Sequence, residues 1–73
     1  MIAGYSDSAR ALTPRMRDVL QAAAAGRTIT ETARELGIAE QTVSTIRAAL
    51  CARLDVPNIY AAVLAAVRRG ELR

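Results

Sequence analysis

The sequence predicts an all-α fold, a four-helix bundle-like domain with a central helix-turn-helix and no β-wing. Apolar residues recur at spacings of three and four in four separate segments, and no segment alternates apolar and polar residues as a strand would. Capping residues or glycines mark the ends of these segments. The 73 residues suffice for one small domain, which we place at residues 12–73. We predict that residues 1–11 form a flexible N-terminal arm.

Thr13 and Pro14 predict the start of the first helix, because Thr is a favoured N-cap and Pro is favoured at the first helical position. Gly26 predicts its end. Between them lies an apolar stripe at helical spacing, which consists of Met16, Val19, Leu20, Ala23 and Ala24.

Two short amphipathic helices follow, joined by a turn at Gly37. Thr28 and Glu31 fit a capping box at the start of the second helix. Gly37 can end that helix in the left-handed conformation without steric cost. The third helix begins at about Glu40 and has apolar residues at Val43, Ile46, Leu50 and Leu54. A tight glycine turn between two such helices is typical of a helix-turn-helix, whose second helix can lie in a DNA major groove.

The fourth helix is predicted from about Asn58, a favoured N-cap residue, to Arg69, and Gly70 predicts its end. Its apolar residues cover more than one face, and a helix of this kind requires burial on two sides. We therefore predict a homodimer interface formed by Ile59, Tyr60, Val63, Leu64 and Val67. The alternative is that Ile59, Val63 and Val67 are core residues.

Composition excludes several classes of function. The chain has no histidine and one cysteine, Cys51, so we expect no metal site, no cofactor and no enzyme activity. The net charge of +3 permits nucleic-acid binding without proving it, and the use of Arg without Lys is typical of a GC-rich genome. No segment has the length of a membrane span and no secretory signal is apparent, so we expect a cytoplasmic protein without a membrane partner.

A longer pattern runs in fixed order from Leu12 to Gly70. It consists of Leu12-Thr13-Pro14-Arg15, Val19-Leu20, Gly26, Glu31, Ala33, Leu36-Gly37-Ile38, Thr42-Val43, Arg47, Leu54, Val56 and Asn58. With these residues the chain resembles the four-helix DNA-binding domain of LuxR/FixJ/GerE-type transcription regulators. The resemblance implies that the third helix lies in the major groove and that the fourth supports dimerisation.

The resemblance also implies a DNA-binding surface. Ser44, Thr45 and Ala48 match base-reading positions, Thr42 matches a phosphate contact, and Arg47 matches a frequently basic position. We expect Arg47 to stand on the exposed face of the third helix and to contribute most to binding. The start of the second helix should approach the DNA backbone. The complete predicted set is Arg27, Thr28, Gln41, Thr42, Ser44, Thr45, Arg47 and Ala48.

Several residues depart from the family pattern. Relatives often carry Lys or Arg where this chain has Ser44 and Ala48. A serine hydroxyl discriminates poorly between bases, and an alanine offers only apolar contact to a thymine methyl. Ala39 stands where relatives cap the third helix with Ser or Thr, and the loss of such a cap costs about 0.5–2 kcal/mol. Met16 replaces the usual Glu partner of the first cap, and Asp55 replaces a common Gly.

We therefore expect a sequence-specific, double-stranded-DNA-binding transcription regulator in the nucleoid of a bacterial or phage-infected cell. Met1 and the short segment before Leu12 favour a stand-alone protein over an excised domain. The alternative is a protein-interaction module that pairs through its fourth helix with a full-length regulator or another partner.

Overall fold

The computed structural model describes residues 12–72 and contains four α-helices and no strand within that range. They are α1 (Pro14–Ala24), α2 (Ile29–Leu36), α3 (Glu40–Leu54) and α4 (Ile59–Arg68). The predicted all-α class is confirmed, and each helix lies where the capping residues and the apolar spacing placed it. The predicted N-terminal arm, residues 1–11, lies outside the described residues.

α2 begins with the predicted capping box. The Thr28 hydroxyl accepts a hydrogen bond from the Glu31 backbone N–H at 3.0 Å, and the Thr28 N–H donates to Glu31 Oε1 at 2.8 Å. This backbone bond, with a smaller contribution from nearby Arg27 and Arg34, holds the pKa of the Glu31 carboxyl below its ordinary value. α2 ends at Gly37, whose φ of 69° is left-handed.

α3 lacks a side-chain cap, as its sequence predicted. Thr13 and Asn58 cap α1 and α4 by accepting hydrogen bonds from backbone N–H groups of the first turn, whereas Ala39 has no atom that can do so. α3 ends at Asp55 with φ 56° and ψ 53°. Residues other than glycine seldom adopt this left-handed conformation, although Asp does so more readily than most because its short polar side chain can hydrogen-bond locally.

The core is small and built mainly from Leu, Val and Ala. Thr32 is the one fully buried polar side chain among the described residues, and its hydroxyl is satisfied because it donates to the Thr28 carbonyl at 2.8 Å. Leu12 and Leu72 close the core from the two ends of the described chain. The side chains with no measurable exposure are Val19, Leu20, Thr32, Val43, Leu50, Ala62 and Ala66.

α4 divides its apolar residues between two faces. The prediction that Ile59 belongs to a dimer interface is wrong, because Ile59 is 8% exposed and lies on the stripe of Ala62 and Ala66 that packs into the core. Val63 lies at the edge of that stripe and is partly buried against the core. The opposite stripe is exposed: Tyr60 at 76%, Leu64 at 51% and Val67 at 49%. We call these three residues the α4 stripe.

α3 and α4 meet at a bend of 50°. No single helix among residues 12–72 is long and apolar enough to cross a membrane. The bent pair of α3 and α4 would be, by length and composition only. Both helices contribute buried side chains to the core, and helices in a protein core often have this length and hydropathy.

Candidate nucleic-acid interface

One face of α3 gathers most of the predicted base-reading residues. The buried residues of α3 are Val43 and Leu50, which face the core. Residues at positions i, i+3, i+4 and i+7 of a helix share a face, and the face opposite the core is formed by Gln41, Ser44, Thr45 and Ala48. Three of them are exposed and Ser44 is half-buried. The four positions that the sequence predicted on the exposed side of the third helix therefore do share one face.

The Thr45 hydroxyl already donates its hydrogen to a bond within α3. Thr45 Oγ1 donates to the Gln41 backbone carbonyl one turn earlier, at 3.0 Å. In this arrangement the hydroxyl can only accept a further hydrogen bond, while its methyl group stays available for apolar contact. The amide of Gln41 is exposed and remains the reading group with both donors and an acceptor.

Arg47 does not stand on the exposed face, and this part of the prediction is wrong. It lies on a flank of α3 that faces the turn between α1 and α2, where it is half-buried. Its Nη2 donates to the Arg27 backbone carbonyl at 3.2 Å. Its Nε is fully buried and has no hydrogen-bond partner. Leaving such a donor unsatisfied costs about 1–3 kcal/mol, so the guanidinium is held here at some expense in stability.

Two further predicted residues lie at the start of α2. Arg27 forms an exposed ion pair with Glu35, with Nε 3.3 Å from Oε2. The hydroxyl and the N–H of Thr28 are both engaged in the capping box. An exposed ion pair contributes about 0–1 kcal/mol, so a phosphate can displace Glu35 from Arg27 at little cost. Thr42 is exposed near the start of α3.

The reading face itself carries no charged side chain. The positive charge closest to it in sequence is that of Arg47, which neighbours Ala48. The sequence could not predict the hydrogen bond of Arg47 to the turn before α2, because its acceptor is a backbone carbonyl and any residue type can supply one.

The rest of the described chain offers little other chemistry. No group of His, Cys, Asp or Glu within residues 12–72 could hold a metal ion. Cys51 is a free thiol packed partly against the core. An open groove next to Val67 of the α4 stripe is lined by Gln21, Ala24, Ala25, Val67, Glu71 and Leu72.

The short capped α2, the glycine turn and the accessible polar face of α3 define a helix-turn-helix domain of the DNA-binding class. A model of one family, described as bacterial regulatory proteins, luxR family (GerE), matches residues 10–66. This match covers most of the chain, so the protein belongs to the LuxR family, and the resemblance noted in the sequence is confirmed. Searches of curated proteins and of solved structures gave no match.

Membership of this family identifies the protein as a DNA-binding regulator of transcription, and the family domain is not typically enzymatic.

Proposed function

We propose that the protein binds duplex DNA in a sequence-dependent manner by placing α3 in the major groove. The observation that carries this proposal is the largely exposed face of α3 opposite Val43 and Leu50. A helix held by its apolar side against a core, with small polar residues on the other side, can approach base edges closely. A DNA-binding regulator of this kind acts at the nucleoid, where we expect the protein.

The chemistry of the reading face favours modest discrimination. The Gln41 amide can pair with both N6 and N7 of adenine, and the Ala48 methyl can contact a thymine methyl. The Ser44 hydroxyl can donate to or accept from several bases, and Thr45 can accept from an amino group. We therefore expect a preference for A·T pairs under α3, with weak selection elsewhere.

Contacts to the DNA backbone would fix the position of the domain. Arg27 and Thr28 precede α2, and Thr42 lies in the first turn of α3, so all three lie close to helix N-termini. Backbone contacts at such ends orient a helix-turn-helix on the duplex without reading sequence.

We also propose that two copies pair through the α4 stripe when bound to DNA. The stripe exposes Tyr60, Leu64 and Val67 at helical spacing, a contiguous apolar surface that solvent alone would cover. A two-fold dimer would place both α3 helices in successive major grooves, so the site should be an imperfect palindrome with half-sites about 10 bp apart.

The rival proposal is a protein-interaction module that uses the same stripe to pair with another transcription regulator. It is favoured by the absence of basic residues at Ser44 and Ala48, which leaves the reading face uncharged. Such a module would bind a partner regulator strongly and duplex DNA weakly or not at all.

Selection from a random duplex library, followed by a salt titration on the selected site, tests the proposal. We expect enrichment of one motif and an affinity that falls as salt rises, because each phosphate contact releases counterions. Ser44→Arg should raise affinity and shift one position of the motif towards guanine. Ala24→Arg adds the same charge at the end of α1 and serves as the matched control, which should leave the motif unchanged.

Failure to enrich any motif, together with no retention on duplex DNA at low salt, would overturn the proposed function and favour the rival. If Ser44→Arg and Ala24→Arg change the selected motif equally, α3 does not read the bases.

A further inference from the structure

We propose that Arg47 is a positioning residue, which acts on DNA recognition through a hydrogen bond inside the protein and not through a contact with DNA. The inference rests on the proposed function, because it concerns how the reading face of α3 is held relative to the backbone contacts at the start of α2.

The hydrogen bond of Arg47 joins α3 to the turn between α1 and α2. Its Nη2 donates to the carbonyl of Arg27, 20 positions earlier in the chain. Arg27 is itself fixed at the end of α1, because its N–H donates to the Ala22 carbonyl at 3.0 Å. Arg27 also directly precedes Thr28, the N-cap of α2. One guanidinium on α3 is therefore bonded to the turn that links the end of α1 to the start of α2.

The hydrogen bond of Nη2 and the buried position of Nε hold the Arg47 guanidinium at this junction. Nε is shielded from solvent, and no carboxylate within residues 12–72 forms an ion pair with the group. For Nη2 to turn towards a phosphate, it would have to give up its hydrogen bond to the Arg27 carbonyl. Arg27 differs in this respect, because its side chain is exposed and its ion pair with Glu35 is easily displaced.

The junction lies next to the reading face. Arg47 neighbours Ala48 and lies one turn after Ser44, while its partner Arg27 neighbours Thr28. The bond thus sets the distance between the elements that contact phosphates and the residues that read bases. Loss of the bond should reduce binding to the selected site more than binding to random DNA, because non-specific binding does not require that register.

The 73-residue chain can be made by chemical synthesis, which permits Arg47→citrulline. Citrulline keeps an amino group at the end of a side chain of the same length, so it can still donate to the Arg27 carbonyl, but it carries no charge. Arg47→Ala removes both the donor and the charge. Arg68→citrulline, at an exposed position in the last turn of α4, is the matched control for loss of one charge.

Each chain is measured on a duplex with one selected half-site and on random duplex, across a range of salt, below its melting temperature. We expect Arg47→Ala to lower the ratio of selected to random affinity by about tenfold, the loss that one misread base pair causes. Arg47→citrulline should match Arg68→citrulline in that ratio and in the salt dependence.

Three outcomes would overturn the inference. In the first, both Arg47 variants weaken binding to the selected duplex and to random duplex equally, and lower the slope of log affinity against log salt concentration by about 0.9. Arg47 would then contact a phosphate. If Arg47→Ala lowers only the melting temperature, the bond is structural alone. If the unmodified chain binds no duplex DNA, the proposed function fails first, and this inference fails with it.

Discussion

The Arg17 guanidinium of α1 donates to the Glu71 carboxylate across 54 positions of the chain, with Nη2 3.3 Å from Oε1. Arg69 contacts the other carboxylate oxygen at 2.8 Å, and the Glu71 N–H donates to the Ala66 carbonyl at 2.8 Å. These contacts fold the segment after α4 back onto α1, where Leu72 enters the core with 7% exposure. The family match ends at residue 66, so this closure lies beyond the matched part of the chain.

Leu72→Ala should destabilise the domain by about 2 kcal/mol, because truncation of a buried Leu removes apolar burial and leaves a cavity. Glu71→Gln should cost less, about 1 kcal/mol, because its two Arg partners are substantially exposed, although the Glu71 side chain itself is only 13% exposed. Urea unfolding followed by circular dichroism compares the two variants. Equal stability of Leu72→Ala and the unmodified chain would show that the tail does not belong to the core.

The capping box of α2 makes stability depend on pH. Because the Thr28 N–H lowers the pKa of Glu31, the folded state binds its proton less tightly than the unfolded state does. The stabilisation is therefore complete at pH values above the ordinary glutamate pKa. It is lost as the pH falls through the lowered pKa of the folded state. Thermal melts over an acidic pH series measure this loss.

Glu31→Gln provides the comparison for that series, since a glutamine can occupy the same position without titrating. The difference in melting temperature between the two chains should be largest at neutral pH and should shrink in acid. Glu35→Gln is the matched control, because Glu35 is also an exposed residue of α2 but lies outside the cap. A difference that is constant across the pH series would contradict the role of Glu31.

Ala39→Ser should stabilise the domain by about 1 kcal/mol. Ala39 already has the extended backbone of an N-cap, with φ −72° and ψ 150°, so a serine hydroxyl can accept from the first turn of α3 without rearrangement. For a domain of this size the melting temperature should rise by about 4–8 °C. Ala52→Ser, at an exposed position inside α3, should bring no such gain. An Ala39→Ser chain that melts at or below the unmodified temperature would contradict the prediction.

The sequence predicted the helices well because their signals are local. Thr28, Gly37 and Asn58 act on neighbours within one turn, so their roles follow from spacing alone. The uncapped Ala39 was foreseen for the same reason.

The residues whose exposure was predicted wrongly are those whose burial depends on packing against distant parts of the chain. Ile59 and Leu64 are both apolar residues of one helix, and only the position of α4 against the core decides which one is buried. Arg47 was expected in solvent because its partner is a carbonyl 20 residues away. The packing of Leu72 into the core was not predicted from the sequence. A single apolar residue after the glycine that ends a helix forms no repeating pattern from which burial could be predicted.

Leu64→Glu should weaken cooperative binding to a site with two half-sites while leaving the helical circular-dichroism signal intact. Leu64 is 51% exposed in the centre of the α4 stripe, so a charge there is tolerated by the monomer. In the proposed dimer, each of the two charges would be buried against an apolar surface without a partner, which is costly. Sedimentation and binding titrations on one and two half-sites measure the effect.

Arg15→Gln is the matched control for the Leu64 variant, because it lowers the net charge by the same amount at an exposed position of α1, away from the stripe and the groove beside it. It should leave cooperativity unchanged. Loss of the helical signal in Leu64→Glu would mean that the residue supports the core and not an interface. If the unmodified protein sediments as a monomer both alone and on a duplex with two half-sites, the homodimer is wrong, and the α4 stripe is then left for the partner regulator of the rival proposal.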